Sequence, residues 1–90
     1  MRVTIHYLAQ MKRAAGRSTE AIDVRDGATV QQVLLHLTEG REPSLQRMLL
    51  DEANQPLKSL LFFVGEDHAG PTTLLREGDA LTILAPMAGG

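Results

Sequence analysis

The chain has 90 residues, a formal net charge of −2 and no cysteine. Its length holds one domain with one core that buries roughly 60 to 65% of the unfolded surface. The absence of cysteine excludes a disulfide framework, a thiolate metal site and a thiol nucleophile. Basic residues are scattered apart from Lys12, Arg13 and Arg17, so no concentrated basic face points to nucleic acid as the main partner; these three read as a solvated loop.

The first residues alternate, Arg2-Val3-Thr4-Ile5-His6-Tyr7-Leu8, which predicts a strand with Val3, Ile5 and Tyr7 toward the core and Thr4 and His6 on the other face. This is not the unbroken apolar run of a signal peptide, and no segment approaches the ~20 apolar residues of a membrane span. A cytoplasmic protein with no membrane partner is expected. Ala9 to Gly16 reads as a loop or short turn. A second strand follows at Thr19 to Val24, hairpin-paired with the first, and Arg25-Asp26-Gly27 supplies turn chemistry.

Thr29 with Gln32 three residues on forms a capping box ahead of Val30, Val33, Leu34 and Leu37 at helical spacing, and Gly40 is a natural C′ residue. This helix carries one apolar stripe and packs across the sheet, with His36 off the stripe. A shorter helix is expected over Ser44 to Leu50, with Pro43 near its start and Leu45, Met48 and Leu49 inward. Asp51 to Pro56 is polar and turn-rich. Ser59-Leu60-Leu61-Phe62-Phe63-Val64 is then apolar on both faces up to Gly65, so the strand is central or has one face covered from outside. One helix layer covers one face of a sheet, which makes Leu61, Phe63 and Leu84 candidates for a partner-facing surface, against the alternative that flanking loops cover them. Glu66 to Pro71 reads as a loop whose acidic pair and His68 have no second cluster to complete a metal or acid-base site, so no metal is expected. Leu74 and Leu75 are expected to re-enter the core.

The last stretch, Gly78-Asp79-Ala80-Leu81-Thr82-Ile83-Leu84-Ala85-Pro86-Met87-Ala88-Gly89-Gly90, begins as a strand opened by a Gly-Asp turn and is ended by Pro86, which has no N–H to donate. Beyond it, Met87-Ala88-Gly89-Gly90 has too little side chain to fold, and the Gly90 carboxylate is expected to project on a thin stalk. With glycine at about 7% of residues, a pair at a given position occurs in about one chain in two hundred. The expected division is a domain over residues 1–86 and a tail over residues 87–90.

Strand, strand, helix, short helix, strand, strand, with a hairpin on each side of a packed helix, predicts an α+β fold. Its mixed sheet has four to five strands, with the two terminal strands parallel in the centre. That is the β-grasp, or ubiquitin-like, roll. On these grounds, and on the closing run from Leu75 to Gly90, the chain resembles the small ubiquitin-like sulfur carriers of the MoaD/ThiS type. These include the small subunit of molybdopterin synthase, the thiamin-pathway carrier and the carrier feeding a cysteine synthase. Tyr7 to Gly16 is most similar to the molybdopterin synthase subunit, and the ending from Thr82 to Gly90 is at least as close to the cysteine-pathway carrier. Gly65 stands where family members often have Asn. The stretch from Arg41 to Pro56 is longer than in the thiamin carrier, which counts against the thiamin role.

The resemblance implies a carrier and co-substrate with no bound cofactor, not an enzyme, or else the non-catalytic small subunit of a sulfur-transferring synthase. An E1-like adenylating enzyme would activate the Gly90 carboxylate with MgATP. A sulfurtransferase or persulfide donor would supply sulfur for a thiocarboxylate, and a sulfur-accepting synthase would receive it. Gly90 is then the reactive residue, and Pro86, Met87, Ala88 and Gly89 enter the partner. Two other readings stay open: a modifier joined through Gly90 to lysines, and a binding module whose glycines are incidental.

Overall fold

A computed structural model describes residues 1–39 and 43–85 of the chain. Five strands form one sheet: β1 (Arg2–Tyr7), β2 (Thr19–Asp23), β3 (Leu61–Val64), β4 (Asp67–Ala69) and β5 (Ala80–Leu84), in spatial order β2-β1-β5-β3-β4. β1 and β5 are parallel neighbours in the centre, with Ile5 beside Leu81 and Tyr7 beside Ile83. All other pairs are antiparallel. Three helices complete the fold: α1 (Gln10–Ala15), α2 (Val30–Thr38) and α3 (Pro43–Leu49). The mixed sheet and single helix layer are the expected β-grasp arrangement.

Period-two alternation decides which strand face is buried. Val3, Ile5, Leu81 and Ile83 have no exposed surface and Tyr7 has 1%, and against them lie Val30, Val33, Leu34 and Leu37 of α2 with Leu45 and Leu49 of α3. Burying each such side chain contributes about 1.5–3 kcal/mol before chain entropy is subtracted. Glu20 lies in the same layer because it shares the inward phase of β2 with Ile22. Its carboxylate accepts a 2.7 Å hydrogen bond from the Tyr7 hydroxyl, as a carboxylate so close to the core requires.

α2 starts as its sequence predicts. The Gln32 N–H donates to Thr29 Oγ1 at 3.3 Å, and the Thr29 N–H donates to Gln32 Oε1 at 2.9 Å. The helix C-cap is Glu39; Gly40, the expected C′ residue, lies outside the described residues, as does the tail from Pro86 to Gly90, including the boundary expected after residue 86.

Four expectations need correction. Residues 10–15 are helical, not a loop: Gln10 to Ala15 are good helix formers, Met11 is fully buried, and Gly16 closes the helix in the left-handed conformation with its N–H on the Lys12 carbonyl at 3.0 Å. The start signal is absent because the N-cap position holds Ala9, whose side chain offers no acceptor. Asp67 to Ala69 form β4 and not a loop, joined to β3 by Gly65 and Glu66, with Val64 opposite Asp67 and Gly65 at φ 60°. Leu74 is 65% exposed while Leu75 is buried, because neighbours in extended chain face opposite ways. Finally, β3 begins at Leu61; Leu60 is still in a turn, its N–H on the Leu57 carbonyl at 3.1 Å.

Candidate functional site

β5 carries the chain to the place where the tail begins. Leu81 and Ile83 fix it in the core. The Leu8 N–H donates to the Ile83 carbonyl at 3.3 Å, and Leu84 lies opposite Leu61. Ala85 thus leaves the domain between the end of β1 and the start of β3, directly after the last residue of a clamped central strand. It lines a cleft of about 360 Å³ with Gln10, Arg47, Met48, Leu57, Ser59 and Leu60.

The helices cover one sheet face, and the register sets out the other. Nearest the tail, the pairing of Tyr7 with Ile83 places Leu8 beside Leu84, and Leu84 pairs with Leu61. The next row is His6, Thr82, Phe63 and His68, and the one after begins with Thr4 beside Ala80. Leu8 is 44% and Leu61 36% exposed, and Phe63 and Leu84 are half-buried. The His68 ring meets Phe63 edge-on, centroids 5.5 Å apart, so this histidine serves as a packing partner on the open face. The structure therefore brings Leu61, Phe63 and Leu84 onto one surface, uncovered by the helices. Pro86, Met87, Ala88, Gly89 and Gly90 follow directly on it but lie outside the described residues.

Leu8 belongs to this surface and was not among the sequence candidates. Its signal was present: it stands in the phase of Thr4 and His6, where a large apolar residue has no place in the core. Next to it, Ala9 adopts φ 52°, ψ −122°, a conformation that favours glycine. That corner swings the chain from β1 into α1 beside the tail.

Charge is divided between the two ends of the sheet. At the end away from the tail, the Met1 ammonium lies 3.3 Å from an Asp26 oxygen and Arg2 pairs with Asp23 at 3.2 Å. The hydrogen bond from Arg2, helped by its charge, holds the Asp23 carboxyl below its ordinary range, and the same bond raises Arg2. Glu77 accepts from the Arg2 N–H and Asp79 from the Arg76 N–H. Among the described residues no three His, Asp or Glu gather in a way that could hold a metal ion, and no helix is long and apolar enough to cross a membrane.

A central strand delivering its end to an open apolar face is a geometry for docking and presentation. Comparison with known proteins places it. The model of the ThiS family matches residues 5–90, and the chain belongs to that family. Its fold is shared with SAMP1, small archaeal modifier protein 1 of Haloferax volcanii, at 22% identity over 100% of both chains with a TM-score of 0.89. A putative molybdopterin converting factor subunit 1 from Pyrococcus furiosus is 20% identical over 97% of this chain and 99% of that one, with a TM-score of 0.77. A chain of the Amycolatopsis orientalis BexX/CysO complex is 24% identical over 98% of this chain and 99% of that one, with a TM-score of 0.69. No curated protein sequence matches the chain.

Proposed function

We propose that this protein is a cytoplasmic sulfur carrier, a co-substrate and not itself an enzyme, whose reactive group is the carboxylate of Gly90. The family match running through residue 90, on a strand that hands its end to an open apolar face, is the observation that carries this reading. A carboxylate is a poor acyl electrophile until one oxygen becomes a leaving group, so activation begins with an E1-like enzyme transferring AMP from MgATP and releasing pyrophosphate. The outer sulfur of a persulfide carried by a sulfurtransferase then attacks the acyl carbon and displaces AMP, and a second thiol breaks the resulting acyl disulfide, leaving a thiocarboxylate on Gly90 and a disulfide on the donor. The tail enters a sulfur-accepting synthase, of molybdopterin or cysteine type, and hydrolytic transfer returns the carboxylate. Gly89 and Gly90 suit this path because backbone without Cβ atoms fits a narrow channel and lets donors close on the acyl group. Leu61, Phe63 and Leu84, with Leu8, form the surface that docks.

The likeness to a small archaeal modifier protein favours one second reading, in which Gly90 is joined to lysines. One experiment separates the two. Incubated with its adenylating enzyme, MgATP and a sulfur source, the chain is expected to gain a mass equal to one oxygen exchanged for sulfur, and Gly89→Val is expected to fold normally and gain nothing. Isopeptide-linked lysine adducts without thiocarboxylate would establish the modifier; normal adenylation of Gly89→Val would refute the role of the tail.

A further inference from the structure

The fold adds cations from other elements to the group Lys12, Arg13 and Arg17 that the sequence already shows, since α1 packs against α3. Lys12 and Arg13 lie on α1 and Arg17 just beyond it, around an open pocket with Ala9 and Gly16. The Tyr7 N–H donating to the Ser18 carbonyl at 2.8 Å ties this segment to the tail end of β1. Arg47 of α3 lines the cleft that Ala85 enters, and Lys58 stands between two other lining residues, Leu57 and Ser59. All five are exposed, and among the described residues none pairs with a carboxylate. The chain does not lack acids, having 11 against 9 Lys and Arg. Asp23, Asp26, Glu77 and Asp79 are engaged at the far end with Arg2, Met1 and turn N–H groups.

We propose that these five cations form a basic collar around the departing tail, and that it docks the acidic rim of the protein that receives the tail. The inference rests on the proposed carrier function and specifies its partner: a protein surface with carboxylates around the channel mouth and an apolar patch beside them. Continuity with the leucine row selects a protein over a nucleic acid. Phosphates would satisfy the cations and leave Leu8 and Leu61 in water, whereas protein interfaces join an apolar centre to a charged rim. The collar also lacks a stacking platform for bases: of the three aromatics, Tyr7 and Phe62 are buried and Phe63 packs with His68. Rim charges act mainly on encounter, so the collar orients the tail toward its channel while the leucines hold it there.

The test measures association rates of the whole chain with the adenylating enzyme and, separately, the sulfur-accepting enzyme of the same organism. Reversing Lys12, Arg13 and Arg17 to glutamate is expected to slow association about tenfold or more at about 0.01 M salt, with the difference vanishing near 1 M. The pair Arg47→Glu and Lys58→Glu, on other elements, is expected to act in the same direction, with both variants shown to be folded by a cooperative melting transition. Unchanged rates and unchanged salt dependence in both variants would overturn the collar, as would an effect confined to binding of a tRNA pool. Sulfur loading of the parent chain is read independently by intact mass. Its failure would remove the carrier function and leave the association rates to decide the collar.

Discussion

Ala9 holds the least comfortable backbone in the described chain, at φ 52° without being glycine. Such conformations cost on the order of 1–3 kcal/mol, against the ~0.5–1 kcal/mol that glycine loses to chain entropy. The strain is the larger, so Ala9→Gly is expected to stabilise the domain by about 1 kcal/mol. That raises the melting temperature by about 4–8 °C; a lower melting temperature would show that the corner is not strained. The strain has a structural consequence. This corner ends β1 with Leu8 facing outward beside Leu84, and turns Met11 into the core, so one residue sets both the open face and the seat of α1.

The second helix shows how local chemistry starts an element. Its two reciprocal bonds satisfy N–H groups that the first turn leaves without helical partners. Thr29→Ala removes one of them and is expected to cost about 1 kcal/mol, seen as a lower urea midpoint with an unchanged slope; no shift would mean water replaces the cap. This start was legible because donor and acceptor are three residues apart, and the central strands because Val3, Ile5, Leu81 and Ile83 keep a strict period of two. α1 was not, since Ala9 gives no capping signal and only Met11 marks its buried side. β4 was not, since Asp67-His68-Ala69 is a polar strand whose existence depends on pairing with Phe62, Phe63 and Val64. The candidate site divides the same way. Leu61, Phe63 and Leu84 could be named because one helix layer leaves one sheet face open. The collar could not, because Arg47 and Lys58 come to the tail end of the sheet only through the packing of α3 against α1 and the strand order.

The two faces of the sheet make opposite demands on similar side chains, and this separates folding from docking. Leu81 has no exposed surface, and Leu81→Ala would open a cavity costing about 2–5 kcal/mol, a large share of the stability of a small domain. Leu61, one strand over and pointing the other way, is 36% exposed. In the free domain Leu61→Ser gives up part of a side chain's burial but leaves the helix-covered core intact, so its effect on stability is expected to stay below about 2 kcal/mol. In the complex the same leucine would lie under the partner, next to Leu84 at the centre of the row of Leu8, Leu84 and Leu61, where truncation of an anchoring residue costs about 2 kcal/mol or more. That is about a thirtyfold loss of affinity for the adenylating enzyme. The loss should appear in the dissociation rate and persist at high salt, unlike that of the collar variants. A Leu61→Ser protein that binds as tightly as its parent would show that the open face is not the docking face; one that unfolds would show that Leu61 belongs to the core.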